Sequence, residues 1–157
     1  MPYEIRVQQV ESQVFAGASE RVAPSQIPAR IIPLLDKVWA FLKGSDLQSQ
    51  GLNVAVYLNV DDHGKSLPAG QVLMQAGVLM PGTFTEEGEV RQLETPGGRT
   101  ASTTHVGPYD RMGDAHSAIV EWCAANGCDL QGTNWEVYGH WIDDPAQLRT
   151  DVFYLLK

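Results

Sequence analysis

Glu136 is the residue whose position asks for a chemical reason. It stands in Trp135-Glu136-Val137-Tyr138, a stretch with the alternation of a half-buried strand. Alternation predicts Glu136, Tyr138 and His140 on one face and Trp135, Val137 and Trp141 on the other. A carboxylate buried alone is costly and is normally paired. No basic residue stands close by in sequence, and the cations that could fold back onto it are Arg6, Arg30, Arg99 and Arg149. A carboxylate set among aromatic rings, without a cation of its own, suits an aromatic cation. The charge supplies Coulomb attraction and the rings supply π-faces.

Other groups invite chemistry less strongly. Cys123 and Cys128 are five apart at a helix end, where zinc sites want tighter pairs and two of them, so they read as inert thiols. His63, His105, His116 and His140 have no metal-ligand spacing. His116 falls on the apolar side of a helix and reads as a hydrogen-bonded core residue. His105 precedes Gly107-Pro108 and either orients that turn or reaches the ligand. Gly97-Gly98 lies in a turn with no helix after it, so it makes no phosphate cradle. No nucleophile elbow, P-loop or dinucleotide fingerprint occurs. No metal and no cofactor is expected.

The elements that must position Glu136 follow from periodicity. Strands are expected at 4–10, 13–18, 53–60, 70–80, 89–94, 99–106, 133–141 and 148–156. One helix starts at Ser25 as N-cap with Pro28 in its first turn. It carries Ile31, Leu34, Leu35, Val38 and Leu42 inward and ends at Gly44; Pro33 should bend it. A second helix covers 109–126, with Met112, Ala115, His116, Ile119, Trp122 and Cys123 as its inner stripe and Gly127 closing it. Trp39 and Trp122 read as core residues on the two helices.

The order repeats because the sequence does. Trp39 precedes Asp46-Leu47-Gln48 as Trp122 precedes Asp129-Leu130-Gln131, and Asn53-Val54-Ala55-Val56-Tyr57 matches Asn134-Trp135-Glu136-Val137-Tyr138. Val22-Ala23-Pro24 and Val106-Gly107-Pro108 stand at matching distances upstream, and Asp61-Asp62 and Asp143-Asp144 follow each tyrosine. These coincidences in one order indicate a duplicated β-α-β-β unit, with pseudo-repeats at about 4–80 and 89–157 inside one domain spanning 1–157. The expected fold is α+β: one antiparallel sheet, two helices on one face, and a concave ligand groove, placed on the uncovered face. Superposing the repeats sets Tyr57 against Tyr138 and Ala55 against Glu136. The duplication has been broken by a charge in one copy only.

At these residues the chain resembles the GyrI-like small-molecule-binding domain, also met as the effector-binding domain of AraC-type and multidrug-responsive transcription regulators. The resemblance rests on His105-Val106-Gly107-Pro108-Tyr109, Trp135-Glu136-Val137-Tyr138 and Leu148-Arg149-Thr150-Asp151-Val152. It implies a groove with a central glutamate that attracts lipophilic cations. That glutamate maps onto Glu136, and the ring-bearing positions map onto Tyr57, Tyr109 and Tyr138. The expected function is a stand-alone module that sequesters or senses aromatic cations. The regulators' DNA-binding domain has no counterpart expected here, because residue 4 already reads as the first strand. Some similar domains hydrolyse strained cyclopropane compounds with a Glu and a Tyr. In that alternative Glu136 is a general base on water and Tyr138 or Tyr109 assists the leaving group. Others inhibit or protect DNA gyrase, which makes gyrase or a separate regulator a possible protein partner.

Composition bounds these readings. The chain has 157 residues, 43% hydrophobic and 19% charged, enough for a sizeable core. Eleven basic residues against nineteen acidic ones leave −8, and without a basic face direct nucleic-acid binding is not expected. No apolar run reaches the ~20 residues of a membrane span and no signal peptide opens the chain. Two cysteines suit the reducing cytoplasm, the expected location. The acidic stretch 86–89 reads as a solvated loop or a rim of the groove. Loops 61–69 and 81–88 are expected to set pocket width.

Overall fold

A computed structural model describes residues 3–157. The elements in chain order are β1 (Arg6–Val10), β2 (Val14–Val22), α1 (Ile27–Lys43), β3 (Asn53–Leu58), β4 (Val72–Leu79), β5 (Arg91–Glu94), β6 (Gly98–Val106), α2 (Gly113–Ala125), β7 (Leu130–Tyr138) and β8 (Arg149–Leu156). The α+β class and nearly every expected element are present. The chain divides into two compact units, one of residues 13–95 and one of residues up to 12 together with 96–157.

In the unit of residues 13–95 the antiparallel order is β3-β4-β2-β5. Alternation sends Ala16, Ala18, Met74, Ala76 and Val78 to one face, where they pack with Leu34, Leu35, Val38 and Leu42 of α1. Those four helix positions are the stripe read from periodicity. The helix starts differently from expectation. A 3-10 turn over Pro24–Gln26 comes first, and Gln26 rather than Ser25 occupies the N-cap of α1, its side chain accepting from the Ala23 amide at 2.9 Å. The bend expected at Pro33 does not end the helix, which runs through it. Pro33 simply lacks the N–H that would donate to the carbonyl four residues back. Trp39 packs against this core and donates Nε1–H to Asn53 Oδ1 at 2.9 Å, tying α1 to β3.

In the other unit the order is β1-β6-β8-β7. Each unit therefore gains as its edge a strand from outside its own β-α-β-β repeat: β1 joins β6, and β5 joins β2. Thr100 and Thr103 hydroxyls donate to the Gln8 and Glu4 carbonyls at 3.0 and 2.8 Å, reinforcing the β1 edge. Ala115, Ile119 and Cys123 of α2 pack with Ala101, Val152 and Leu156, and Met112 joins them from just ahead of the helix. A 3-10 turn over Tyr109–Arg111 takes the first residues expected in this helix. At its far end Gly127 adopts φ 69°, and the Cys128 amide donates to the Cys123 carbonyl at 3.0 Å. This is a Schellman ending, and the cysteines occupy its customary apolar contact positions. Burial pushes the Cys123 thiol up, as an unreactive packing residue requires.

Candidate functional site

Both oxygens of Glu136 are held. Tyr138 Oη donates to Oε1 at 2.6 Å, and His116 Nε2 lies 2.6 Å from Oε2. The residue is only 7% exposed. His116 is in turn fixed, with its Nδ1 2.7 Å from Tyr154 Oη. A carboxylate accepts, so Nε2 carries a hydrogen; in the neutral imidazole Nδ1 then accepts from the Tyr154 hydroxyl. Burial, and then the Glu136 charge, push Tyr154 up to about 12, so its hydroxyl keeps its proton.

Three elements build this arrangement. Residues 136 and 138 share a face of β7, and the β7–β8 register sets Asn134 opposite Tyr154 and Glu136 opposite Val152. Tyr138 and Tyr154 pack with the core residues of α2, so this face is the helix-bearing one. The uncovered face expected for Glu136 is corrected accordingly: α2 lies over that face and lowers His116 onto the carboxylate. Three of the four arginines named above have partners of their own. Arg30 pairs with Glu20 at 2.6 Å, Arg149 with Asp151 at 3.5 Å, and Arg6 reaches Thr104. His116 was read as a hydrogen-bonded core residue, and it is one, with Glu136 and Tyr154 as its partners.

Aromatic rings lead outward from the carboxylate. Tyr109 meets Tyr138 edge-on, centroids 5.5 Å apart and planes at 74°. Trp141 lies 6.5 Å from Tyr109 and is 68% exposed. β7 ends at Tyr138, so strand alternation does not govern Trp141 and His140, and Trp141 turns toward Tyr109 instead of away. Glu136, Tyr138 and Tyr109 are thus brought together. Tyr57 lies in the unit of residues 13–95, half-buried against the α1 core. Sequence reasoning missed Tyr154 and Trp141. His105 is 3% exposed and bridges Tyr3 Oη at 2.8 Å and the Pro108 carbonyl at 2.9 Å, so it orients the turn.

The acidic loop lies elsewhere. Glu86 pairs with Arg91, and Glu89 with Lys37 at 2.8 Å. With Asp61 and Asp62 these glutamates line a hollow of about 820 Å³ whose strand residues Ser19, Leu73, Gln75 and Leu93 face away from α1. Among the described residues no group of three or more His, Cys, Asp or Glu gathers to hold a metal.

The family model for the GyrI-like small-molecule-binding domain matches residues 3–157. The chain belongs to this family. No curated protein matches it in sequence. Among solved structures, the C-terminal domain of EcmrR is 19% identical with a TM-score of 0.70, covering 100% of this chain and 99% of that one. EcmrR in its DNA complex gives a TM-score of 0.74 at 15% identity, and the chain spans 57% of that protein's length. SAV2435 bound to tetraphenylphosphonium gives 0.68 at 11% identity, covering 98% of this chain and 94% of that one. A hydrolase from Listeria innocua gives 0.59 at 10% identity, covering 99% and 93%. At such identities these likenesses speak for the GyrI-like fold. No helix among the described residues is long and apolar enough to cross a membrane.

Proposed function

We propose that this GyrI-like domain captures lipophilic aromatic cations, with Glu136 as the counter-charge and Tyr138 and Tyr109 as ring-bearing walls, in a sequestering or sensing role. The observation that carries this reading is a buried carboxylate held by Tyr138 and His116, at the end of a run of aromatic rings. The Tyr138 hydroxyl, a neutral donor, orients the carboxylate beside the rings. SAV2435 binding tetraphenylphosphonium supports the same chemistry on the same fold.

The second reading, hydrolysis, is supported by the hydrolase among the structural neighbours and uses Glu136 and Tyr138 as base and acid. One feature disfavours it. The Tyr138 hydroxyl is directed at Glu136 at 2.6 Å, so the acid must leave its own base before it can serve a leaving group. Titration with tetraphenylphosphonium tests the proposal. Glu136→Gln should weaken binding by about 1–3 kcal/mol, the worth of a hydrogen bond to a charged group. Mass spectrometry of the recovered ligand separates the readings: an unchanged mass supports capture, and a hydrolysed product supports the enzyme. Unchanged affinity in the variant would sink Glu136 as the functional charge.

A further inference from the structure

We propose that Glu136, His116 and Tyr154 form a proton relay that couples cation capture to proton release, with His116 as the positioning residue that sets the charge the site offers. The inference rests on the capture reading above and adds its regulation.

The three groups are joined at 2.6 and 2.7 Å in one line across β7, α2 and β8. The duplication shows that the fold does not need them. Counting from Trp39 and Trp122, which mark the two helices, the counterpart of His116 is Pro33. Glu136 corresponds to Ala55. The registers Asn53 with Val78 and Asn134 with Tyr154 make Val78 the counterpart of Tyr154. All three positions are apolar in one copy and hydrogen-bonded in the other. Three matched changes in the same packing frame are what a built polar network requires, because a half-satisfied one is costly.

The line also has an outlet. His116 and Tyr154 line a shallow hollow of about 350 Å³ with Ser117, Val120 and Glu121. Glu136 is buried and meets His116 at 2.6 Å. With the imidazole protonated, His116 and Glu136 together carry no net charge. Nδ1–H then donates to Tyr154, whose hydroxyl accepts. When a monovalent cation enters, Nδ1 gives its proton to water through the hollow, the Tyr154 hydroxyl turns to donate to Nδ1, and Nε2–H stays on the carboxylate. One positive charge arrives and one leaves, so the balance closes.

Glu136 meets the imidazole from β7 and Tyr154 from β8, and Glu121 lines the same hollow from its own helix. On β6, His105 is tied to Tyr3 and Pro108. Ahead of the helix Arg111 pairs with Asp114 at 3.1 Å.

The test is calorimetric titration of the full chain with tetraphenylphosphonium at about pH 8 and about pH 5.5, in buffers of different ionisation enthalpy. Wild type should bind about tenfold more weakly at the lower pH and release close to one proton per cation there. His116→Gln keeps a donor toward Glu136 but cannot titrate. It should lose the pH dependence of binding and release no proton. Wild type with equal affinity at both pH values and no proton release, while Glu136→Gln weakens binding, would overturn the relay and leave the capture reading standing. A His116→Gln variant that keeps the wild-type pH dependence would overturn it too. Wild type that binds at neither pH would remove the capture reading and the relay with it. Should the variant fail to fold, the wild-type proton count decides.

Discussion

Tyr138 and His116 hold one carboxylate, Tyr154 holds His116, and each bond has a measurable consequence. Tyr138→Phe removes the donor on Oε1 while keeping the ring against Tyr109. Cation affinity should fall by about 1 kcal/mol or less if Tyr138 acts mainly as a wall, and by about 1.5–3 kcal/mol if its hydrogen bond orients the charge; the proposed site predicts the larger loss, read by titration. Tyr154 gives a pH prediction with a fixed sign. Its folded value is raised to about 12, above the ordinary tyrosine value near 10. Its contribution to stability is therefore complete below about pH 10 and is lost as pH rises toward about 12. Tyr154→Phe should lack that alkaline component in thermal melts recorded across the range. At this scale alternation put Glu136 and Tyr138 on one face because it is local, and Tyr109 came from the family resemblance. It could not show His116 and Tyr154 as partners, because those bonds span 20 and 38 residues of chain. The matched apolar counterparts Pro33 and Val78 were the available signal.

The elements are where periodicity read best. The buried stripe of α1, the strands flanking the site and the Gly127 ending all stand where the spacing put them. What spacing could not give is the partner of each strand. A period of two assigns faces, and β1 joining β6 or β5 joining β2 is a non-local choice. The helix cover over Glu136 was missed for the same reason, since alternation tells two faces apart without saying which one α2 covers. Two glycines give element-scale tests. A Cβ at Gly77 would lie 1.9 Å from the Ala16 carbonyl oxygen, so β2 and β4 approach too closely there for any side chain. Gly77→Ala should cost more than about 3 kcal/mol in denaturant unfolding, beyond the ordinary range for one substitution. Gly127→Ala meets nothing in space but forces a left-handed residue at φ 69°. It should cost about 1 kcal/mol and leave ligand affinity unchanged. A large loss of affinity in Gly127→Ala would mean that the α2 ending, and not only its His116 turn, supports the site.

For the whole molecule, the decisive quantities are the duplication and the charge. Two copies of one unit supply a frame in which a change in a single copy stands out, and Ala55 against Glu136 was legible from sequence alone. The net charge of −8 adds a long-range attraction for cations that salt screens. Affinity for tetraphenylphosphonium should therefore fall several-fold between low and high ionic strength, and that of a neutral compound of similar shape should not. The central claim is that one buried carboxylate selects the ligand by charge. Its most direct test is a titration of wild type and Glu136→Gln with tetraphenylphosphonium and with neutral triphenylphosphine oxide, followed by tryptophan fluorescence. The account predicts that wild type prefers the cation and that Glu136→Gln loses that preference while keeping its affinity for the neutral compound. Equal binding of both compounds by wild type, or a preference for the cation that survives in Glu136→Gln, would contradict it.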